Sequence, residues 1–180
     1  LFLIVHFSVN YYSTKGVEAY NKAASFMGNL PFLLFLEFVL IYIPLVFHAV
    51  YGVYIAFTAK HNVRRFSLFR NWMFLLQRIT GLFLIVFISW HVWETRIQKA
   101  LGAEVNFDMM ANILDNPWML AFYIAGVVSS VFHLANGIWS FCVSWGITVS
   151  PRSQQIMTYV TMAFFVVMSY VGIRALLGFV

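Results

Sequence analysis

Four apolar runs, at 32–57, 72–93, 119–141 and 156–177, constrain this chain more than anything else in it. Each reaches the length of about 20 residues needed to cross a hydrocarbon core of ~30 Å as a helix. In lipid every backbone polar group must be satisfied internally, so runs of this kind read as transmembrane α-helices. A fifth run, 1–9, is too short to span alone. It lacks an initiator Met and carries no cleavable-signal pattern, so it reads as the second half of a helix whose first half is missing. The composition agrees: 62% of residues are hydrophobic and 9% charged, against about 25% charged in soluble domains. A water-soluble globule is excluded. The expected fold is all-α: one transmembrane domain over residues 1–180, with five membrane-spanning helices, the first of them truncated.

Pro31, Pro117 and Pro151 lie at or just before span starts, where a missing N–H costs little, whereas Pro44 lies inside the second span and predicts a kink. Trp72, Trp93, Trp118 and Trp145 fall at span ends, as interfacial anchors do. The single Cys142 excludes an internal disulfide, a four-thiolate iron–sulfur site and c-type haem attachment. A net charge of +5 is too sparse for nucleic acid, but its distribution is informative. Lys60, Arg64, Arg65 and Arg70 join the second and third spans without an acid, and Arg152 lies between the last two. Glu18, Glu94, Glu104, Asp108 and Asp115 lie on the opposite side, mixed with Lys15, Lys22, Arg96 and Lys99. The positive-inside rule makes the first set cytoplasmic and places the protein in a bacterial plasma membrane as a multi-pass chain.

A duplicated pattern runs through the spans. Val46-Phe47-His48-Ala49-Val50-Tyr51-Gly52 aligns with Val131-Phe132-His133-Leu134-Ala135-Asn136-Gly137, and Phe2-Leu3-Ile4-Val5-His6 aligns more loosely with Phe87-Ile88-Ser89-Trp90-His91. His6 precedes His48 by 42 residues and His91 precedes His133 by 42, so both matches share one offset, 85 residues. Such self-similarity marks a repeated two-helix unit. Counting along the spans at ~1.5 Å per residue puts His6 and His91 at one outer level and His48 and His133 at a second level ~15 Å deeper.

Two imidazoles facing one another at one depth are what a six-coordinate haem iron requires. Gly52 and Gly137 each follow a histidine by one helical turn, leaving room for a porphyrin plane against the backbone. Two stacked b-type haems are therefore expected, with His6 and His91 on one and His48 and His133 on the other. A zinc site would need the four histidines at one level, and a histidine proton relay would leave the glycines unexplained. Among the remaining ionisable groups, His61 reads as a solvated loop residue. Arg78 either snorkels to headgroups or pairs with the propionates of the inner haem, and Arg174 has the same two readings near the outer one. Glu37 is the one acid inside these runs; it is either hydrated near the outer interface or a route for protons to a quinone.

With the histidine pairs in view, the chain resembles the di-haem cytochrome b membrane anchors of Gram-positive succinate:menaquinone reductases (succinate dehydrogenases). The resemblance rests on His48-Ala49-Val50-Tyr51-Gly52-Val53-Tyr54, Ser89-Trp90-His91-Val92-Trp93-Glu94, Gly102-Ala103-Glu104-Val105-Asn106-Phe107-Asp108 and Pro151-Arg152-Ser153-Gln154, and it extends along nearly the whole chain. It implies a five-helix anchor with two non-covalent haems b. His48 and His133 would hold an inner, higher-potential haem, and His6 and His91 an outer, lower-potential one. It also implies two cytoplasmic partners, a flavoprotein with FAD that oxidises succinate and an iron–sulfur protein. Electrons would leave through the inner and then the outer haem to menaquinone, with the dicarboxylate site in a partner. The basic loop from Lys60 to Arg70 either docks those partners or only orients the chain. Rival readings are a quinol:fumarate reductase anchor running in reverse and a haem-free tether or transporter.

Overall fold

A computed structural model of the protein describes residues 2–60 and 62–180; His61 lies outside the described residues. The described chain is helical, with no strand. A short α1 (Phe2–Asn10) runs through a 3-10 turn, Tyr11–Lys15, into α2 (Val17–Gly28). Then come α3 (Leu33–Thr58), α4 (Phe69–Ala100), a short α5 (Phe107–Leu114), α6 (Pro117–Ser144) and α7 (Pro151–Leu177). Four of these, α3, α4, α6 and α7, are long and apolar enough to cross a membrane, whereas α1 has nine residues.

Local chemistry accounts for where these helices start. Pro117 and Pro151 occupy the first turns of α6 and α7, directly after capping residues. The Asn116 side chain accepts from the Trp118 N–H at 2.9 Å. Ser150 and Ser153 satisfy one another's backbone N–H groups in a capping box. Pro44 is handled differently from the proline at a helix start. It follows a π-helical stretch, Glu37–Tyr42, within α3. Widening the turn just before the proline takes up the hydrogen bond that its missing N–H cannot make. A second π-helical stretch, Trp93–Ile97, carries α4 beyond the expected end at Trp93 to Ala100. Glu94 and Arg96 thereby join the helix, and Glu37 is not the one acid on a spanning element.

The core lies where α4, α6 and α7 meet. Val131 and Tyr123 of α6 are almost fully buried, as is Leu114 of α5. Two glycines permit the closest approaches. A Cβ at Gly126 of α6 would stand 2.2 Å from the Phe87 ring of α4, and one at Gly172 of α7 would stand 2.6 Å from Val127 and 2.8 Å from the Phe7 ring of α1. Small residues at crossings let backbones approach in lipid, where apolar surface gains nothing by leaving the tails. Beyond the α1 end, Ser13 donates to the Ala175 carbonyl at 2.6 Å. Phe179 there packs against Tyr20 at 4.8 Å and Phe107 at 5.0 Å between centroids. These contacts fix the short α1, and with it His6, on the bundle. By contrast, no part of the apolar window of α3 is buried, so this helix is held at a few points only.

The Gly126–Phe87 crossing gives a test. Phe87 is hemmed in by Phe83, Phe122 and Tyr123, with ring centroids 5.4 to 6.3 Å away, and has little room to yield. Gly126→Ala is expected to cost about 1–3 kcal/mol by overpacking, read as a lower Tm of the detergent-solubilised protein. Adding Phe87→Leu should recover part of that loss.

Candidate functional site

The fold brings four histidines together in twos, each pair joining different helices. His6 of α1 faces His91 of α4 with ring centroids 5.8 Å apart and planes at 79°. His48 of α3 faces His133 of α6 at 6.0 Å and 88°. With a metal–nitrogen bond of ~2 Å and a ring centroid ~1 Å beyond the donor atom, two axial imidazoles on one metal stand about 6 Å apart. Both pairs match that separation. The two levels are distinct: Thr80 of α4 lies 3.3 Å from His133 Nδ1, and His91 lies eleven residues further along the same helix, ~16 Å at 1.5 Å per residue. Among the described residues no three His, Cys, Asp or Glu side chains gather closely enough to hold a metal ion; the donor set at each level is two imidazoles.

The outer pair is packed on both sides, whereas the inner pair has one packed member. His91 stacks on Phe87 at 6.0 Å, one helical turn earlier, and meets the edge of Tyr123 at 5.7 Å. His6 stacks on Phe2 at 5.4 Å and is half-buried. His133 sits over Gly81 of α4, where a Cβ would come within 3.0 Å of its Cε1. The backbone of His133 is fixed as well: its carbonyl accepts from Gln77 Nε2 at 3.0 Å, and Asn136 Nδ2 donates to Gln77 Oε1 at 2.8 Å. His48 is exposed, on the helix that buries least.

The two glycines expected to cradle a porphyrin differ. A Cβ at Gly52 would meet nothing within 4 Å, whereas one at Gly137 would rest 3.7 Å from Gln77. Gly137 thus faces an amide of α4, and the tight glycine beside an imidazole is Gly81, outside the repeat. Arg78 turns back along α4. It donates to the Phe74 carbonyl at 2.9 Å and lies 3.3 Å from the Phe74 ring centroid. Its Nε is buried without a partner, leaving a donor for an acidic group. Within the basic segment, Arg70 is tied to the bundle, donating to Thr158 and lying 3.6 Å over the Trp139 ring.

Glu37 is neither free nor simply hydrated. Arg96 clamps it with Nε at 3.0 Å from both carboxylate oxygens and an amino nitrogen 2.7 Å from Oε2. The side chains of Arg96 and Glu37 are 29% and 15% exposed, so the charges are largely withdrawn from solvent. The pair joins the extended end of α4 to the π-helical stretch of α3. Sequence reasoning missed Arg96 because it placed this residue in a loop. It also passed over Thr80, Gln77, Tyr123 and Asn136, although polar side chains inside apolar runs are themselves a signal of interhelical contact.

Four helices long and apolar enough to cross a membrane make this a multispanning membrane protein, and its histidines face one another across helices in two pairs. Comparison with known sequences gives the family. Residues 60–172 match the model described as succinate dehydrogenase/fumarate reductase transmembrane subunit, and the chain belongs to that family. It is 61% identical over its whole length to the succinate dehydrogenase cytochrome b558 subunit of Bacillus subtilis (strain 168), covering 89% of that protein. It is also 38% identical over 63 residues, 34% of this chain and 50% of the relative, to the succinate dehydrogenase hydrophobic membrane anchor subunit of Thermoplasma acidophilum. No solved structure matches the chain.

The clamp on Glu37 generates a prediction. Arg96→Gln strips a part-buried carboxylate of its cation and is expected to destabilise the protein by about 1–3 kcal/mol. Glu37→Gln in the same background should restore much of that. A thermal-unfolding double-mutant cycle measures the coupling; strictly additive effects would show that the two side chains do not interact.

Proposed function

We propose that this chain is the cytochrome b anchor of a succinate:menaquinone oxidoreductase. His6 and His91 would hold an outer haem b, and His48 and His133 an inner one. The observation that carries this reading is the pair of cross-helix imidazole duos at centroid separations of 5.8 and 6.0 Å. The clear space at Gly52 suits a flat macrocycle, and the unpartnered Arg78 Nε suits a propionate at the inner level. Family membership and the 61% identical relative, a succinate dehydrogenase cytochrome b558 subunit, support it.

Bound haem would supply one-electron carriage, and the two histidines of each pair, if they hold it, would favour electron transfer over oxygen binding. The chain's own contribution is position. It would hold ligand pairs at two depths of a layer that charged carriers cross only at high cost, with aromatic rings packed against His6 and His91. The partners would be a flavoprotein carrying FAD, where the dicarboxylate is oxidised, and an iron–sulfur subunit. Both would sit against the side bearing Lys60, Arg64 and Arg65, which the positive-inside rule makes cytoplasmic in a bacterial plasma membrane. The docking of α1 on the bundle through Gly172 supports counting it as a fifth helix of the membrane domain. The dicarboxylate chemistry belongs to the partners, so this chain would be non-catalytic in that step.

At the outer level, Glu37 would serve protons to menaquinone. Its ion pair with Arg96 holds the carboxylate in place at the junction of α3 and α4. Glu37→Gln is expected to slow quinone turnover severalfold with the visible spectra of both haems intact; unchanged turnover would remove Glu37 from the mechanism.

Spectroelectrochemistry of the four single His→Ala variants, measured in the purified complex, tests the central reading. His6→Ala and His91→Ala should each lose the same haem b, and His48→Ala and His133→Ala the other. Loss in any other grouping, or a wild-type complex without b-type bands, would refute it.

A further inference from the structure

Two of the four histidines, one in each pair, have their second ring nitrogen held by a hydroxyl whose own proton is already committed elsewhere. Tyr123 of α6 stands 3.4 Å from His91 Nδ1 and donates its phenolic proton to Glu94 Oε2 at 2.8 Å. Thr80 of α4 stands 3.3 Å from His133 Nδ1 and donates its proton to the Leu76 carbonyl at 2.8 Å. An oxygen that has given up its only proton can act toward the imidazole only as an acceptor. Each Nδ1 must therefore carry the hydrogen, which leaves each Nε2 with its lone pair free for a metal. The supports are reciprocal: α6 holds the histidine of α4, and α4 holds the histidine of α6.

The two supports end differently. The His133 support ends on a neutral backbone carbonyl, and the His91 support ends on a carboxylate. Hydrogen bonds to ionised acceptors are roughly twice as strong as neutral ones. An imidazole that donates into such a chain is the more basic ligand, and electron density pushed onto an iron favours its oxidised state.

We propose that Tyr123 and Glu94 form a positioning relay that sets the tautomer of His91 and lowers the potential of the haem it holds. Thr80 performs only the orienting half of this task for His133. The proposal rests on the ligand assignment made above, and its test separates the two. In the purified complex, each haem b is titrated by absorbance against potential, and the outer haem is identified as the one lost in His91→Ala.

Tyr123→Phe is expected to raise the outer midpoint by about tenfold in the equilibrium constant, 59 mV for a one-electron couple, with the inner midpoint unmoved. Glu94→Gln keeps an acceptor for the phenol but removes its charge, and should shift the same midpoint in the same direction by less. Thr80→Val should move the inner midpoint alone. If Tyr123→Phe loses the outer haem, the positioning role is supported and Glu94→Gln decides the electronic one. Retention of both haems with the outer midpoint unmoved in Glu94→Gln, or equal shifts of both haems in either variant, overturns the relay while leaving the ligand assignment standing. Failure of the ligand assignment itself would show separately, as a His91→Ala complex that retains both haems.

Discussion

The close crossing of α4 and α6 is the contact on which everything else depends. Apolar side chains gain little by leaving lipid for a protein interior, so helices in a bilayer are joined by tight packing and by polar groups that find one another. This crossing uses both. On one stretch the missing side chain at Gly126 admits the Phe87 ring. On another, Asn136 donates to Gln77, which donates in turn to the His133 carbonyl. The two fastenings fix the relative depth and rotation of the helices that carry His91 and His133, and the other two histidines are brought to them.

They are brought in different ways. His6 arrives on a short helix pinned through Gly172 and the Ser13 hydroxyl against α7, so its position follows from packing. His48 arrives on α3, whose apolar window is wholly exposed. That helix is fastened near one end by the Glu37–Arg96 clamp, and His48 faces His133 further along it. An ion pair carries weight here because the surrounding dielectric is low and the alternative is an unpaired charge in a membrane. The π-helical stretch before Pro44 sits beside the clamp, since Glu37 is its first residue. The adjustment to the proline and the placement of the carboxylate are one local feature.

Much of this was legible along the chain. The apolar runs announced the long helices, and Pro117 and Pro151, expected at or just before two starts, are the first residues of helices that begin two and five residues ahead of the apolar runs. The shared offset between His6-to-His91 and His48-to-His133 singled out the histidines that meet. Gly137 was legible as a glycine in a repeat but not for what it faces, because the repeat says nothing about which amide of α4 lies opposite. The end of α4 was misjudged at Trp93. Glu94, Thr95 and Arg96 look like the polar start of a loop, but Thr95 donates back to the His91 carbonyl of its own helix, and Glu94 and Arg96 find partners across the bundle.

The amino-acid sequence alone determined that this chain lives in a bilayer as a set of helices and that its histidines recur at one shared spacing. Those properties follow from hydrophobic length and residue spacing, which are counted along one strand of residues. The tertiary structure decided which side chains hold the histidines: Thr80 against His133, Tyr123 and Glu94 behind His91, and Arg96 on Glu37. These pairings depend on the rotation of each helix about its axis, and that angle is set by packing between helices far apart in sequence.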